Sequence, residues 1–377
     1  MRALVLMALV VLSGCATDGE EVLKPAQLEK FTPTVAVDVV WQAKYALKSP
    51  QQDLRLVPSL TADRLVVVEP AGRLVALDWR SGARVWATDL GMPLSAGVGS
   101  GGGLLVAGTL NGDVFAVNED GQLRWHSVLS SSILSAPVVA QNSVVVRTAD
   151  GGIHALDAVS GRQLWQEEGN EPALTLYSEG RPLVSGEQLL VGTSSGRMVA
   201  LSLGDGRQQW ETVVAAPQGR SELERVVDVD ADPLLFDGML YASAFQGRTV
   251  AISPVSGRLV WTSDVATHVG MAADDKTLYL GSNNDTLWAL ERSTGSVMWK
   301  QEDLLHRQLS PPLVAHDLLV VGDGEGYLHV LSAVDGHMVG RYRLGRRPIT
   351  ARPLLADDRI YVMDQAGHVA ALRLTRH

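Results

Sequence analysis

Leu74-Val75-Ala76-Leu77-Asp78-Trp79-Arg80-Ser81-Gly82-Ala83-Arg84-Val85-Trp86 and Ile153-His154-Ala155-Leu156-Asp157-Ala158-Val159-Ser160-Gly161-Arg162-Gln163-Leu164-Trp165 are two copies of one pattern. In each, a short apolar run ends in Ala-Leu, Asp follows, Ser-Gly forms a turn, and Trp closes the unit. Gly after Ser admits the positive φ of a tight hairpin. A large aromatic on an outer strand can cover the seam with an adjacent unit. The spacing recurs, degraded but in register, at Ala200 to Trp210, Ala251 to Trp261 and Ala289 to Trp299, and one residue shorter at Ala116 to Trp125. A seventh copy has Gly340 where Trp would fall.

The apolar strands before these turns end at Leu77, Val117, Leu156, Leu201, Ile252, Leu290, Leu331 and Leu372, spaced 40, 39, 45, 51, 38, 41 and 41 residues apart. Eight copies at that period imply a propeller or solenoid. Alternating β-branched runs such as Leu65 to Val68, with almost no 3.6-residue periodicity, favour strands throughout. The expected fold is therefore all-β, an eight-bladed β-propeller of four-stranded antiparallel blades. The last copy stops at Arg373 to His377, before its outer strand, and an unpaired edge there would be a liability. The missing strand with its Trp stands at the other end of the chain, in Val37-Asp38-Val39-Val40-Trp41, so an N-terminal strand is expected to close the ring.

Upstream, Arg2, an apolar run from Ala3 to Leu12 and then Ser13-Gly14-Cys15 read as a short signal peptide over residues 1–14, too short to span a bilayer. Leu12-Ser13-Gly14-Cys15 resembles the lipobox of bacterial lipoproteins, which implies acylation of Cys15 as the mature N-terminus. Cys15 is the only cysteine, so no internal disulfide can form. Two or more acyl chains, at about 0.8 kcal/mol per buried methylene, would hold the protein on a membrane without a transmembrane helix. Ala16, not Asp, follows the cysteine, which in enteric lipoproteins favours the outer membrane. Residues 15–35 then form the lipidated N-terminus and a polar tether, and residues 36–377 the propeller.

Loss of residues 1–14 removes Arg2, so the 32 basic side chains become 31 against 42 acidic ones. That balance argues against nucleic acid, whose phosphates need a basic face. Gly192-Thr193-Ser194-Ser195-Gly196 matches a nucleophile elbow, but a strand, not a helix, follows it, and similar turns recur at Gly108 to Gly112 and Gly322 to Gly326. Asp228-Val229-Asp230-Ala231-Asp232 begins like a calcium loop, yet Pro233 and Met239 occupy the positions of the turn Gly and the bidentate Glu. The nine histidines show no metal-ligand spacing and read as turn or surface residues, so no metal and no cofactor is expected.

Two links between blades are long. Trp165 to Pro182 is 17 residues and Trp210 to Pro233 is 23, against 7 from Trp86 to Pro93, 12 from Trp125 to Pro137 and 13 from Trp299 to Pro312. Both make the same outer-to-inner crossing from adjacent blades, so they should emerge on one face, where long loops on a rigid scaffold commonly carry function. The first holds Leu174, Leu176 and Tyr177; the second is acidic, with Glu222, Glu224, Asp228, Asp230 and Asp232 opposed by Arg220 and Arg225.

The Ala-x-Asp-x-x-Ser/Thr-Gly-x-x-x-Trp repeat is similar to that of the pyrroloquinoline-quinone (PQQ) propellers. With a lipobox and a single closed ring, residues 36–377 resemble the BamB family, lipoprotein subunits of the outer-membrane β-barrel assembly (BAM) complex. Asp228-Val229-Asp230, Asp303-Leu304-Leu305-His306-Arg307 and Gly322-Asp323-Gly324-Glu325-Gly326-Tyr327-Leu328-His329 match that family's pattern. The resemblance implies a non-catalytic scaffold on the periplasmic face of the outer membrane that docks the POTRA domains of the barrel subunit BamA. It carries partner contact to Leu174, Leu176, Asp228 and Asp230, while Tyr177 stands where the family has a basic residue. The competing readings are a PQQ-dependent dehydrogenase-like enzyme, and a propeller that receives unfolded outer-membrane proteins along a blade edge. Against the enzyme, a single cysteine excludes a vicinal pair over the cofactor, and the short loops leave little material for a lid.

Overall fold

The computed structural model describes residues 23–45, 56–169, 180–217 and 226–377, and within them every regular element is a β-strand. The strands form eight four-stranded antiparallel sheets, each running from a short inner strand to a long outer one. The second and third strands of each blade, such as Arg64–Glu69 and Arg73–Asp78, are almost wholly buried. They are apolar on both faces because each blade is covered by its two neighbours. Outer strands such as Arg84–Asp89 alternate between half-buried and exposed positions.

The last blade has the order expected for a ring closed by its ends: Val35–Lys44 pairs with His368–Arg376, followed by Arg359–Met363 and Leu354–Ala356. Val35 lies opposite Arg376, and a bulge between Val39 and Trp41 re-aims the tryptophan.

The repeat has a more exact meaning than its spacing shows. The motif alanine is directly opposite the motif tryptophan across the hairpin, as in Ala76 with Trp86, Ala155 with Trp165 and Ala289 with Trp299. A small residue facing a large one leaves room for the indole to turn over the blade surface. The indole then crosses to the next blade. Trp86 donates to the carbonyl of Glu119 at 2.7 Å, Trp125 to Ala158 at 2.9 Å and Trp165 to Leu203 at 2.9 Å. Trp41 closes the circle by donating to the carbonyl of Trp79 at 3.0 Å. The turn glycine serves twice. Gly161 has φ +71°, and a Cβ there would sit 2.5 Å from the Trp125 ring of the preceding blade.

The seam without a tryptophan is sealed by backbone. A Cβ on Gly340 would lie 2.8 Å from the carbonyl oxygen of Val35, and Thr34 donates to the carbonyl of Val339 at 3.0 Å. Before it enters the ring, the N-terminal segment runs along the outer side of blade seven, where Leu28 packs on the cluster of Leu304, Leu309 and Leu331.

Candidate docking face

Two kinds of connection share one face of the ring: the hairpins joining the second and third strands of each blade, and the links from an outer strand to the next inner strand. They interlock by backbone hydrogen bonds. Val214 and Val229 of one link donate to Gly196 and Thr193 of a hairpin, at 2.9 and 3.1 Å, and Phe245 of the next hairpin donates to Asp228 at 2.8 Å. The side chain of Val229 fills the space over Gly192, where a Cβ would come within 2.6 Å of it. Gly108 with Ile133 and Gly322 with Ile349 repeat this arrangement. The Gly192 to Gly196 segment is thus a turn between the strands Gln188–Gly192 and Arg197–Ser202, with Thr193 and Ser195 hydroxyls 2.9 Å apart and Ser194 buried. It offers no exposed nucleophile.

The two long links meet on this face. A Cβ on Gly180 would lie 3.1 Å from the carbonyl of Asp230, and the Arg181 amide donates to Asp232 Oδ1 at 2.8 Å. Leu174, Leu176 and Tyr177 fall outside the described residues, as does Cys15. Asp228 and Asp230 fall within them and are buried, at 0% and 9% exposure, whereas Asp232 is exposed. The extended segment from Val226 to Asp230 therefore turns its first two carboxylates into the structure. The acidic character visible in the sequence belongs only partly to the surface.

One polar cluster on this face was not anticipated from residue types. In blade seven Arg307, Asp323 and His329 are all buried. Arg307 Nε donates to Asp323 Oδ2 at 2.8 Å, its Nη2 to Glu325 at 2.5 Å and its Nη1 to the carbonyl of Ala26 at 2.7 Å. Asp323 Oδ1 accepts from the amides of Glu325 and Tyr327 at 2.9 and 2.8 Å, capping the hairpin. His329 Nε2 lies 2.8 Å from Asp323 Oδ2, and Arg341 Nε donates to His329 Nδ1 at 3.3 Å. The accepting Nδ1 fixes the neutral tautomer with its proton on Nε2.

Burial pushes the His329 pKa down, consistent with that tautomer. Burial alone would raise the Asp323 pKa, but hydrogen bonds from His329, Tyr327 and Arg307 outweigh it and hold the carboxyl below its usual range. The reading of the histidines as turn or surface residues is corrected here: His329 is fully buried because a turn aspartate needs a second donor inside the blade. The signal lay in the family-like stretches Asp303 to Arg307 and Gly322 to His329, which the fold packs against each other.

The repeating blades, the tryptophan seams and the shared terminal blade define an eight-bladed β-propeller of the PQQ-like repeat class. A profile of the family described as outer membrane protein assembly factor BamB matches residues 70–301. The chain belongs to that family. The relative of this description from Alkalilimnicola ehrlichii is 41% identical over 374 residues, covering 99% of this chain and 97% of the relative. That from Pseudomonas aeruginosa is 39% identical over 372 residues, with coverages of 98% and 97%. The crystal structure of BamB from Moraxella catarrhalis superimposes with a TM-score of 0.82 at 24% identity, over 90% of this chain and 100% of that one. A quinohemoprotein alcohol dehydrogenase from Comamonas testosteroni shares the fold alone, with a TM-score of 0.69 at 14% identity over 89% of this chain and 76% of that one.

Proposed function

We propose that this chain is a non-catalytic scaffold of outer membrane protein assembly. In this reading it is anchored by lipid on Cys15 at the periplasmic face of the outer membrane and works within the BAM complex. The paired long links dock the POTRA domains of BamA, with Leu174 and Leu176 as apolar anchors, Tyr177 beside them, and Asp228 and Asp230 holding the neighbouring link in place. The observation that carries this reading is the contact of Gly180 with Asp230, which sets the two links side by side on a rigid face. An apolar anchor beside charge supplies affinity and partner choice without turnover chemistry.

Affinity purification from mildly solubilised envelopes, followed by mass spectrometry, tests it. Recovery of barrel-assembly subunits, lost on Leu174→Ala with Leu176→Ala, is the expected result. Recovery of a quinone-dependent electron-transfer partner instead would refute it.

A further inference from the structure

All eight blades contribute to a cavity of about 480 Å³ in the middle of the ring. Its wall has a simple register: the residue two positions before each inner strand faces the axis. Before the strands Ser59–Leu60, Val138–Ala140, Met271–Ala273 and Leu313–Ala315 these are Val57, Ala136, Val269 and Pro311, all without charge. Before Leu183–Ser185, Leu234–Phe236 and Leu354–Ala356 they are Arg181, Asp232 and Arg352. Gly97, before Gly99–Gly101, has no side chain to contribute.

Arg181 and Arg352 thus stand on opposite blades, four apart, with Asp232 beside the first. The Arg352 guanidinium reaches toward blade six, with Nη2 3.2 Å from where a Cβ on Gly270 would lie. Among the described residues it makes no ion pair. Arg181 has its Nε buried without a hydrogen-bond partner, and its Nη2 has only a long contact, 3.4 Å, with the Pro137 carbonyl. Burial pushes both guanidinium pKa values down, Asp232 being the opposing charge that acts on each. Both stay protonated. Among the described lining residues, two cations against one carboxylate leave a single net positive charge in a partly apolar hollow.

A cation without a matching carboxylate, in a wall of Val, Leu and Pro interspersed with the hydroxyls of Ser59, Ser100, Ser135 and Thr350, costs stability unless something neutralises it. We propose that this axial ring is a binding site for a small monocarboxylate with an apolar body. The fork of a guanidinium matches a carboxylate in two parallel hydrogen bonds. One negative charge balances the ring, and the cavity has the volume of a small-molecule site. A tricarboxylate such as PQQ would overcharge it by two. The assignment does not rest on the docking reading: Arg181 and Asp232 stand at the ends of the two long links but line the axial cavity, and Arg352 lies outside both links.

Isothermal titration of the full chain at low ionic strength tests it, with benzoate as probe and benzyl alcohol, inorganic phosphate and PQQ as comparators. Benzoate should bind saturably, one per chain, with benzyl alcohol and phosphate each roughly tenfold weaker or more. Arg352→Gln should weaken benzoate by a similar factor while leaving the melting temperature of the ligand-free protein unchanged or raised. Asp232→Asn, which keeps the oxygen that accepts the Arg181 amide, should tighten it. No saturable benzoate binding, equal binding of benzyl alcohol, or weaker binding in Asp232→Asn would overturn the proposal. PQQ bound more tightly than benzoate would make this a cofactor site and overturn it too. Should Arg352→Gln fail to fold, Asp232→Asn decides alone.

Discussion

Arg307 donates to the carbonyl oxygen of Ala26 at 2.7 Å, joining blade seven to a residue that precedes the first strand of the ring. Arg341 adds a second clasp, donating to the carbonyl of Glu29 at 3.1 Å and stacking on Phe31 at 5.0 Å. Within the segment expected to be a polar tether, Ala26 and Glu29 are thus fastened to blade seven. The described chain therefore begins beside blade seven, on the face that carries the two long links.

Arg307→Ala removes the partner of a fully buried Asp323 and should cost roughly 3–5 kcal/mol, the range for breaking one side of a buried ion pair. Urea unfolding would show this as a lower midpoint at unchanged slope. Arg307→Lys should recover only part, because an ammonium cannot serve Asp323, Glu325 and Ala26 in one plane.

The same network sets an acid limit. His329 has a folded-state pKa below its ordinary value of 6.5, so its contribution is fully present above pH 6.5 and is lost as pH falls toward the lowered value. Asp323, held below 3.8, adds a second loss under pH 3.8. Melting temperature between pH 7 and 5 should fall in the wild type and stay flatter in His329→Gln; the slope from one proton is at most about 1.4 kcal/mol per pH unit.

Gly161→Ala places a methyl group 2.5 Å from the Trp125 ring at φ +71°. Overpacking and backbone strain together should destabilise by roughly 1–3 kcal/mol. Trp125→Ala should cost roughly 3–5 kcal/mol through the emptied seam. In the double variant the methyl group has no indole to meet, so the two losses should be less than additive. Full additivity would mean that this contact is absent in solution.

Deleting residues 36–45 uncovers the edge of His368–Arg376 and should lower the melting temperature far more than deleting residues 16–24, which precede the Ala26 clasp. Equal melting temperatures would contradict closure by the N-terminal strand.

On the docking face, Leu174→Ala and Leu176→Ala should each weaken binding to the soluble periplasmic part of BamA by roughly 1–3 kcal/mol and leave the melt unchanged. Asp228→Ala should behave differently. Its carboxylate is fully buried, so the substitution should lower the melting temperature, with any loss of binding following from the displaced link. Unchanged affinity in all three variants, or losses explained wholly by unfolding, would refute the site.

The ring was legible because its period is covalent: every blade but the seventh repeats the Ala and Trp of the last, and the orphan Trp41 matched the missing outer strand. The Ala76 to Trp86 pairing was not, since it depends on a bulge that spacing alone does not reveal. The blade-seven cluster stayed hidden because Ala26, Arg307 and Asp323 are distant in sequence and His329 looks like any strand histidine. Asp228 and Asp230 read as loop acids, and only the clamp of Val229 on Gly192 shows why that segment is held inward. The axial charges could be found in retrospect as the residue before the proline that opens an inner strand, in Arg181-Pro182, Asp232-Pro233 and Arg352-Pro353.

The pairing of Val35 with Arg376 fixes the timing of folding. The first strand of the ring to be synthesised can find its partner only after the last has been made, so no prefix of this chain contains a finished circle. A ribosome that stops early releases a crescent with two raw edges and a stranded Trp41, open to proteases and to other sheets. Closure of the ring and protection of its backbone edges are thus a single event.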